Sequence, residues 1–400
     1  MHHKVILACL LSAGFAGGIV SAANAADAAT PASRVKISGH IEAGITANPD
    51  DPKDRQNFGR LFDDRANEPL LNQVLLTAEQ TLDPKAPGFD WGFKLQGMIG
   101  TDARFIHSTG LLDHTGKQMI QPDIVEAYLN THFAASGTAG GVDVKWGKFV
   151  TLEGTETIDN TTNTFYSHTY LFNFGIPFNH TGALATIHAT KDLDLMVGVV
   201  EGVNTFKDNN GKLAFHGGFS LPNLAGGKMT FAFSTHIGPE TPHDNKNYRY
   251  LNDAVIVYKI DDKTTATTDI NYIQDDGPRP HAKGYGVAQY VTYAVNKMWQ
   301  ANFRGEIWRD NNGFFVAQIG NNTDLLRFER GDSFTPDPRT VGGGVTTYGA
   351  LTVGLTYKPM DALMIRPELR YDRSLNDTKP FNDSKHKDMF TAAVDVTWSF

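Results

Sequence analysis

The feature that most restricts how this chain can fold is a two-residue rhythm. It recurs sixteen times, between connections that alternate short and long. Residues 34–46 set Val35, Ile37, Gly39, Ile41, Ala43 and Ile45 against Lys36, Ser38, His40, Glu42 and Gly44. Residues 389–400 set Phe390, Ala392, Val394, Val396, Trp398 and Phe400 against Thr391, Ala393, Asp395, Thr397 and Ser399. Period two sends successive side chains to opposite faces of a strand, so each segment has an apolar and a polar side. The same rhythm marks residues 71–82, 91–100, 125–133, 142–149, 182–189, 194–201, 213–220, 228–236, 250–260, 264–274, 284–295, 299–308, 346–357 and 363–372. Segments 142–149, 182–189 and 284–295 alternate least clearly, so fourteen to eighteen strands are compatible with the pattern.

The long connections are 47–70, 101–122, 150–181, 202–212, 237–249, 275–283, 309–345 and 373–388. A soluble sandwich has no reason to keep one end tight and the other long. An outer-membrane barrel does, because its periplasmic turns are short and its external loops long. The expected fold is therefore all-β, a transmembrane antiparallel barrel of about sixteen strands. In lipid no backbone N–H or C=O can stay unpaired, so the last segment must close onto the first. Trp398 and Phe400 then fall in the interfacial aromatic girdle. An aromatic C-terminus of this kind also resembles the signal read by the bacterial barrel-assembly machinery.

Composition agrees. Past the first 25 residues no apolar run approaches the roughly 18 residues of a spanning helix. Residues 1–25 read as a cleaved signal peptide, with Lys4 at the start, an apolar stretch Val5 to Val20, and Ala23-Asn24-Ala25 as the cleavage pattern. Residues 26–33 read as a flexible lead, and residues 34–400 as the barrel. The single cysteine, Cys9, lies in the leader, so the mature chain gains nothing from disulfides. Cleavage leaves 35 basic against 44 acidic residues, a net charge of −9 (35 minus 44), which argues against nucleic acid as a partner. No plug-sized domain stands before residue 34, which argues against an energy-coupled transporter.

The stretch "GKFVTLEGTETIDNTTNTFYSHTYLFNFGIPFNHTGA", residues 147–183, resembles the outer-membrane β-barrel porins of the OmpL-like family. The likeness rests on Gly147 and Phe149, then Gly154 and Glu156. Ser167, His168 and Tyr170 follow, and Pro177 precedes His180, Thr181 and Gly182. Weaker likeness extends over most of residues 34–400. The resemblance implies a channel, with no catalytic motif and no defined substrate.

The 150–181 connection is the candidate constriction. Folded into the lumen, its Glu153, Glu156 and Asp159 would face Arg304, Arg366 and Arg370, with Lys36 and Lys94 further along the arc. Opposed charges across a narrow point set selectivity. Arg366 and Arg370 on either side of Glu368 favour anion attraction on that wall, while the inward charges as a whole balance. His40, His132 and His236 point inward on strands far apart in order, and read as solvated lumen residues rather than metal ligands. "DNNG" at 208–211 reads as a turn. Ser167-His168 and His107-Ser108 are adjacent pairs whose side chains diverge in an extended strand, so neither is a ready nucleophile and base.

The expectation is a passive porin for small hydrophilic solutes, with no cofactor and no chemistry. Its partners would be outer-membrane lipids, the assembly machinery and its solutes, as a homotrimer or a monomer. A barrel hydrolase and a surface adhesin are the alternatives.

Overall fold

A computed structural model describes residues 34–400 apart from 84, 85, 87 and 278–280. The expected signal peptide and flexible lead lie outside the described residues. Sixteen strands form one closed antiparallel barrel. They are β1 (Val35–Ala47), β2 (Pro69–Gln80), β3 (Asp90–Gly100), β4 (Gln121–Phe133), β5 (Val142–Val150), β6 (Asn179–Thr190), β7 (Leu193–Val200) and β8 (Ala214–Asn223). The second half comprises β9 (Met229–Pro239), β10 (Tyr248–Lys259), β11 (Thr264–Asp275), β12 (Ala282–Ala294), β13 (Trp299–Asp310), β14 (Thr346–Met360), β15 (Leu363–Ser374) and β16 (Asp388–Ser399). Each pairs with its neighbour in sequence, and β16 closes onto β1. All sixteen periodic segments are strands, including the three of weakest alternation.

The seam has a defined register, from His40 opposite Ser399 to Ala47 opposite Ala392. Phe400 and Gly39 exchange backbone hydrogen bonds of 2.9 Å in both directions. Gly39 is required by close approach: a Cβ there would stand 2.5 Å from Leu75 O and 2.8 Å from the Phe400 ring. Trp398 and Phe400 are 47% and 60% exposed.

The outward face is apolar and uncovered. Ile37, Ile41, Leu76, Leu95, Ile99, Val197, Leu351, Val353 and Leu369 are all exposed, Leu95 by 53% and Leu351 by 55%. Such a continuous apolar band is stable only against hydrocarbon. The described residues include no helix long and apolar enough to cross a membrane.

The interior departs from expectation. A sixteen-stranded cylinder is wide enough for an aqueous lumen, yet its long-loop half is packed. Two connections turn inward, residues 48–68 and 151–178. One cluster joins Phe58 of the first and Phe165, Tyr170 and Leu171 of the second to the wall residues Leu251, Tyr290, Trp308 and Tyr348. A second joins Leu61, Phe62, Ile158, Phe172 and Phe178 to Leu75, Met98 and Val125. The 47–70 connection is one of the long connections expected at the external end of the barrel. Its apolar Phe58, Leu61 and Phe62 carry it inside instead, because that face has no other place to be buried. Towards the short-turn end the lumen is wetter: Lys94, Asp143, His188 and Asp194 remain partly exposed.

Candidate functional site

Irregular backbone inside a barrel leaves amide and carbonyl groups without ladder partners, and each must be satisfied some other way. Here the wall's charged side chains satisfy them. Gly154 N donates to Asp253 and Thr155 N to Asp269, each at 2.9 Å. Tyr166 N and Ser167 N donate to Glu368 Oε2 at 3.0 and 3.2 Å, and Tyr170 N to Glu306 at 2.7 Å. The arginines serve the carbonyls. Arg304 donates to Ser167 O at 2.6 Å and Arg370 to His168 O at 2.5 Å. Arg366 donates to Asn160 O and Asn163 O at 2.9 and 2.8 Å. Carboxylates accept and guanidiniums only donate, so the sign of each wall charge follows the loop group it holds.

The arginines are also neutralised. Arg304 pairs with Glu156 at 2.7 Å, and Arg366 with Asp395 at 2.6 Å and Glu42 at 3.4 Å. Arg370 pairs with Glu306 at 3.0 Å and Asp372 at 2.8 Å. Arg60 of the first inserted loop reaches the same Asp372 at 2.6 Å and so ties both loops to β15. Arg304 is 0% and Arg370 1% exposed. The expected anion attraction by Arg366 and Arg370 is therefore corrected: both are buried, paired and committed to holding the loop.

The other predicted residues divide. Glu156 meets its arginine, and Arg304 holds its carboxyl below the usual range against the opposing effect of burial. Glu153 faces histidines instead, 3.6 Å from His216 and 3.9 Å from His180. Asp159 caps the short turn Asn160–Thr162 by accepting from Thr161 N, and lies 3.8 Å from His40. Lys94 pairs with Glu126 at 2.5 Å, and Lys36 lies exposed opposite Glu79. Gly44 of β1 makes room for the loop: a Cβ there would meet the Tyr166 ring at 2.5 Å. Ser167 Oγ accepts from Arg304 while His168 Nε2 faces Asn163, and Ser108 Oγ donates to Asn179 while His107 Nε2 faces Gln121. Neither Ser-His pair is coupled.

The expectation of isolated, solvated lumen histidines is corrected: His40 is buried against Gln73 and His132 against Asp143, and the largest departure is His236. It is buried and shares one cluster with His180 and His216. The sequence order concealed this, because β8 and β9 are neighbours and place His216 opposite His236.

At the long-loop end a cavity of about 400 Å³ opens among the connections. Lys53, Arg55, Arg65, Arg104, Lys117 and Arg339 line it, against Asp54 and Glu68. Asp64, which pairs with Arg65 and Arg104 at 3.1 and 2.7 Å, stands behind the lining. Sequence reading missed this vestibule because its cations come from three loops that only the fold brings together.

A closed sixteen-stranded barrel with an apolar belt, tight turns at one end and inserted loops at the other is an outer-membrane barrel of the porin class. The chain belongs to the family described as "Putative beta-barrel porin-2, OmpL-like", whose model matches residues 34–400. Its fold is similar to that of the anion-selective porin from Comamonas acidovorans, at 8% identity and a TM-score of 0.58, over 92% of this chain and 99% of that one. It is also similar to Pseudomonas putida OprB (15%, TM-score 0.55, 92% and 95%). A third similar fold is the outer membrane channel DcaP of Acinetobacter baumannii (12%, 0.54, 92% and 97%). No curated protein matches the chain.

Proposed function

We propose that this barrel is a passive porin for small hydrophilic solutes, and that its cationic vestibule favours anionic ones. The observation that carries the reading is the cation-rich lining of the outer cavity, where Lys53 and Lys117 stand beside four arginines paired with Asp51, Glu68, Asp64 and Asp337. Charge of one sign in a recess with low-dielectric walls raises the local concentration of the opposite ion. Selectivity is then set at the mouth. The buried arginines at mid-depth serve the inserted loop, which keeps the conducting path narrow.

Planar-bilayer recording of the purified protein tests this. The expected result is small stepwise openings with an anion-leaning reversal potential under a salt gradient. Deleting residues 153–164 should raise the conductance step. A silent bilayer, or a step unchanged by the deletion, would overturn the reading.

A further inference from the structure

Three imidazoles converge where the 151–178 loop returns to the wall. His180 opens β6, and His216 and His236 face each other across β8 and β9. All three are 0% exposed, and one nitrogen of each lies within 4.8 Å of the other two. In two of them the other nitrogen fixes the tautomer. His180 Nδ1 lies 3.0 Å from Gly202 O, which can only accept, so Nδ1 carries the proton, and Nε2, 3.2 Å from Thr151 Oγ1, presents a lone pair. His236 Nε2 lies 2.6 Å from Glu240 Oε1 and donates to it, which leaves Nδ1 as the lone-pair atom. That Nδ1 and both nitrogens of His216 hydrogen-bond no described residue. Glu153 Oε1 is equally without a hydrogen-bond partner, 3.6 Å from His216 Nδ1. Buried nitrogens left open in this way are costly unless something else completes them.

We propose that His180, His216 and His236, with Glu153, bind a divalent transition-metal ion of the zinc class. Three imidazoles and one carboxylate form a four-coordinate N₃O donor set, which suits Zn²⁺ and not Mg²⁺ or Ca²⁺. Zinc–nitrogen bonds of about 2.0–2.1 Å require the ring nitrogens to draw inwards from their separations of up to 4.8 Å. The outer shell is already in place: Gly202 O and Glu240 orient two of the rings, and Thr151 Oγ1 donates to Glu153. Charge also balances, since Glu153 and Glu240 together offset a divalent ion. Glu153 and His180 flank the inserted loop near its two ends, so the ion would clamp both to β8 and β9.

The test uses tag-free, detergent-solubilised full barrel stripped with a chelator. Zn²⁺ titration by calorimetry should give one site per chain, and Co²⁺ should give the intense visible absorption of four-coordinate geometry. His216→Gln and His236→Gln should each weaken Zn²⁺ binding at least 100-fold, while His132→Gln, outside the cluster, should leave it unchanged. Heat-modifiable mobility on gels checks that each variant is folded. The wild-type cobalt spectrum needs no variant: only a weak six-coordinate band there, or zinc uptake unaffected by His216→Gln in folded barrel, overturns the proposal.

Discussion

Replacing Arg304 with Met isolates the claim that wall charges hold the inserted loop. The substitution removes the 2.7 Å pair with Glu156, the bonds to Ser167 O, Ser167 Oγ and Thr352 Oγ1, and the cation stacked 4.8 Å over the Phe165 ring. Glu156 keeps Thr169 N at 2.9 Å and Tyr290 OH at 3.0 Å, yet its charge stays buried without a cation. Breaking a buried pair from one side costs about 3–5 kcal/mol. Because the barrel's strand ladders are untouched, that cost falls on the docked loop, and the undocked population should rise roughly 10²- to 10³-fold or more. The assay is protease cleavage within residues 151–178 of folded barrel, paired with single-channel noise. Faster cleavage and flickering currents are expected. Adding Glu156→Gln should restore a good part of the loss, since the stranded charge is then gone. A variant whose loop resists protease as the parent's does would refute the reasoning.

Acid should release the same loop. His168 is held down to about 4, chiefly by burial and further by Arg304 and Arg366, while Glu156 and Asp63 pull the other way. Its ordinary value is about 6.5, so the undocked loop binds more protons between those values. Docking is therefore fully stable above about pH 6.5 and weakens towards pH 4, by on the order of 3 kcal/mol, and His168→Gln should flatten the pH dependence of cleavage. Phe62→Ala empties a site among Phe105, Phe172 and Phe178, at ring distances of 6.4, 5.5 and 5.9 Å. It should cost about 3–5 kcal/mol of loop packing and widen the conductance distribution. Gly39→Val drives a side chain into Leu75 O and Phe400 at the closing seam, and should reduce the heat-modifiable folded fraction on gels. Arg55→Glu with Lys117→Glu should move the reversal potential towards cations without altering the protease resistance of residues 151–178.

The sequence by itself determined the cylinder. Each strand must show one face to hydrocarbon and one inward, and that demand writes period two along the chain whatever the neighbours are. It also determined which connections lie at which end, because tight turns need few residues. The ends of β5, β6 and β12 were harder to read, since small and polar residues there blur the alternation. The interior was decided elsewhere. Arg366 and Arg370 look alike in sequence to selectivity charges, and only the returning loop makes them carbonyl donors. Phe58 and Phe62 carry residues 48–68 inside, but a few apolar residues in a long connection do not say in sequence what they are buried against. His180, His216 and His236 belong to strands separated by a loop or a turn, so no local spacing encodes their meeting. Lipid acts on every strand separately and leaves a local trace. Loop docking, paired charges and converging imidazoles are satisfied between distant segments, and their physical content exists only once the barrel has closed around them.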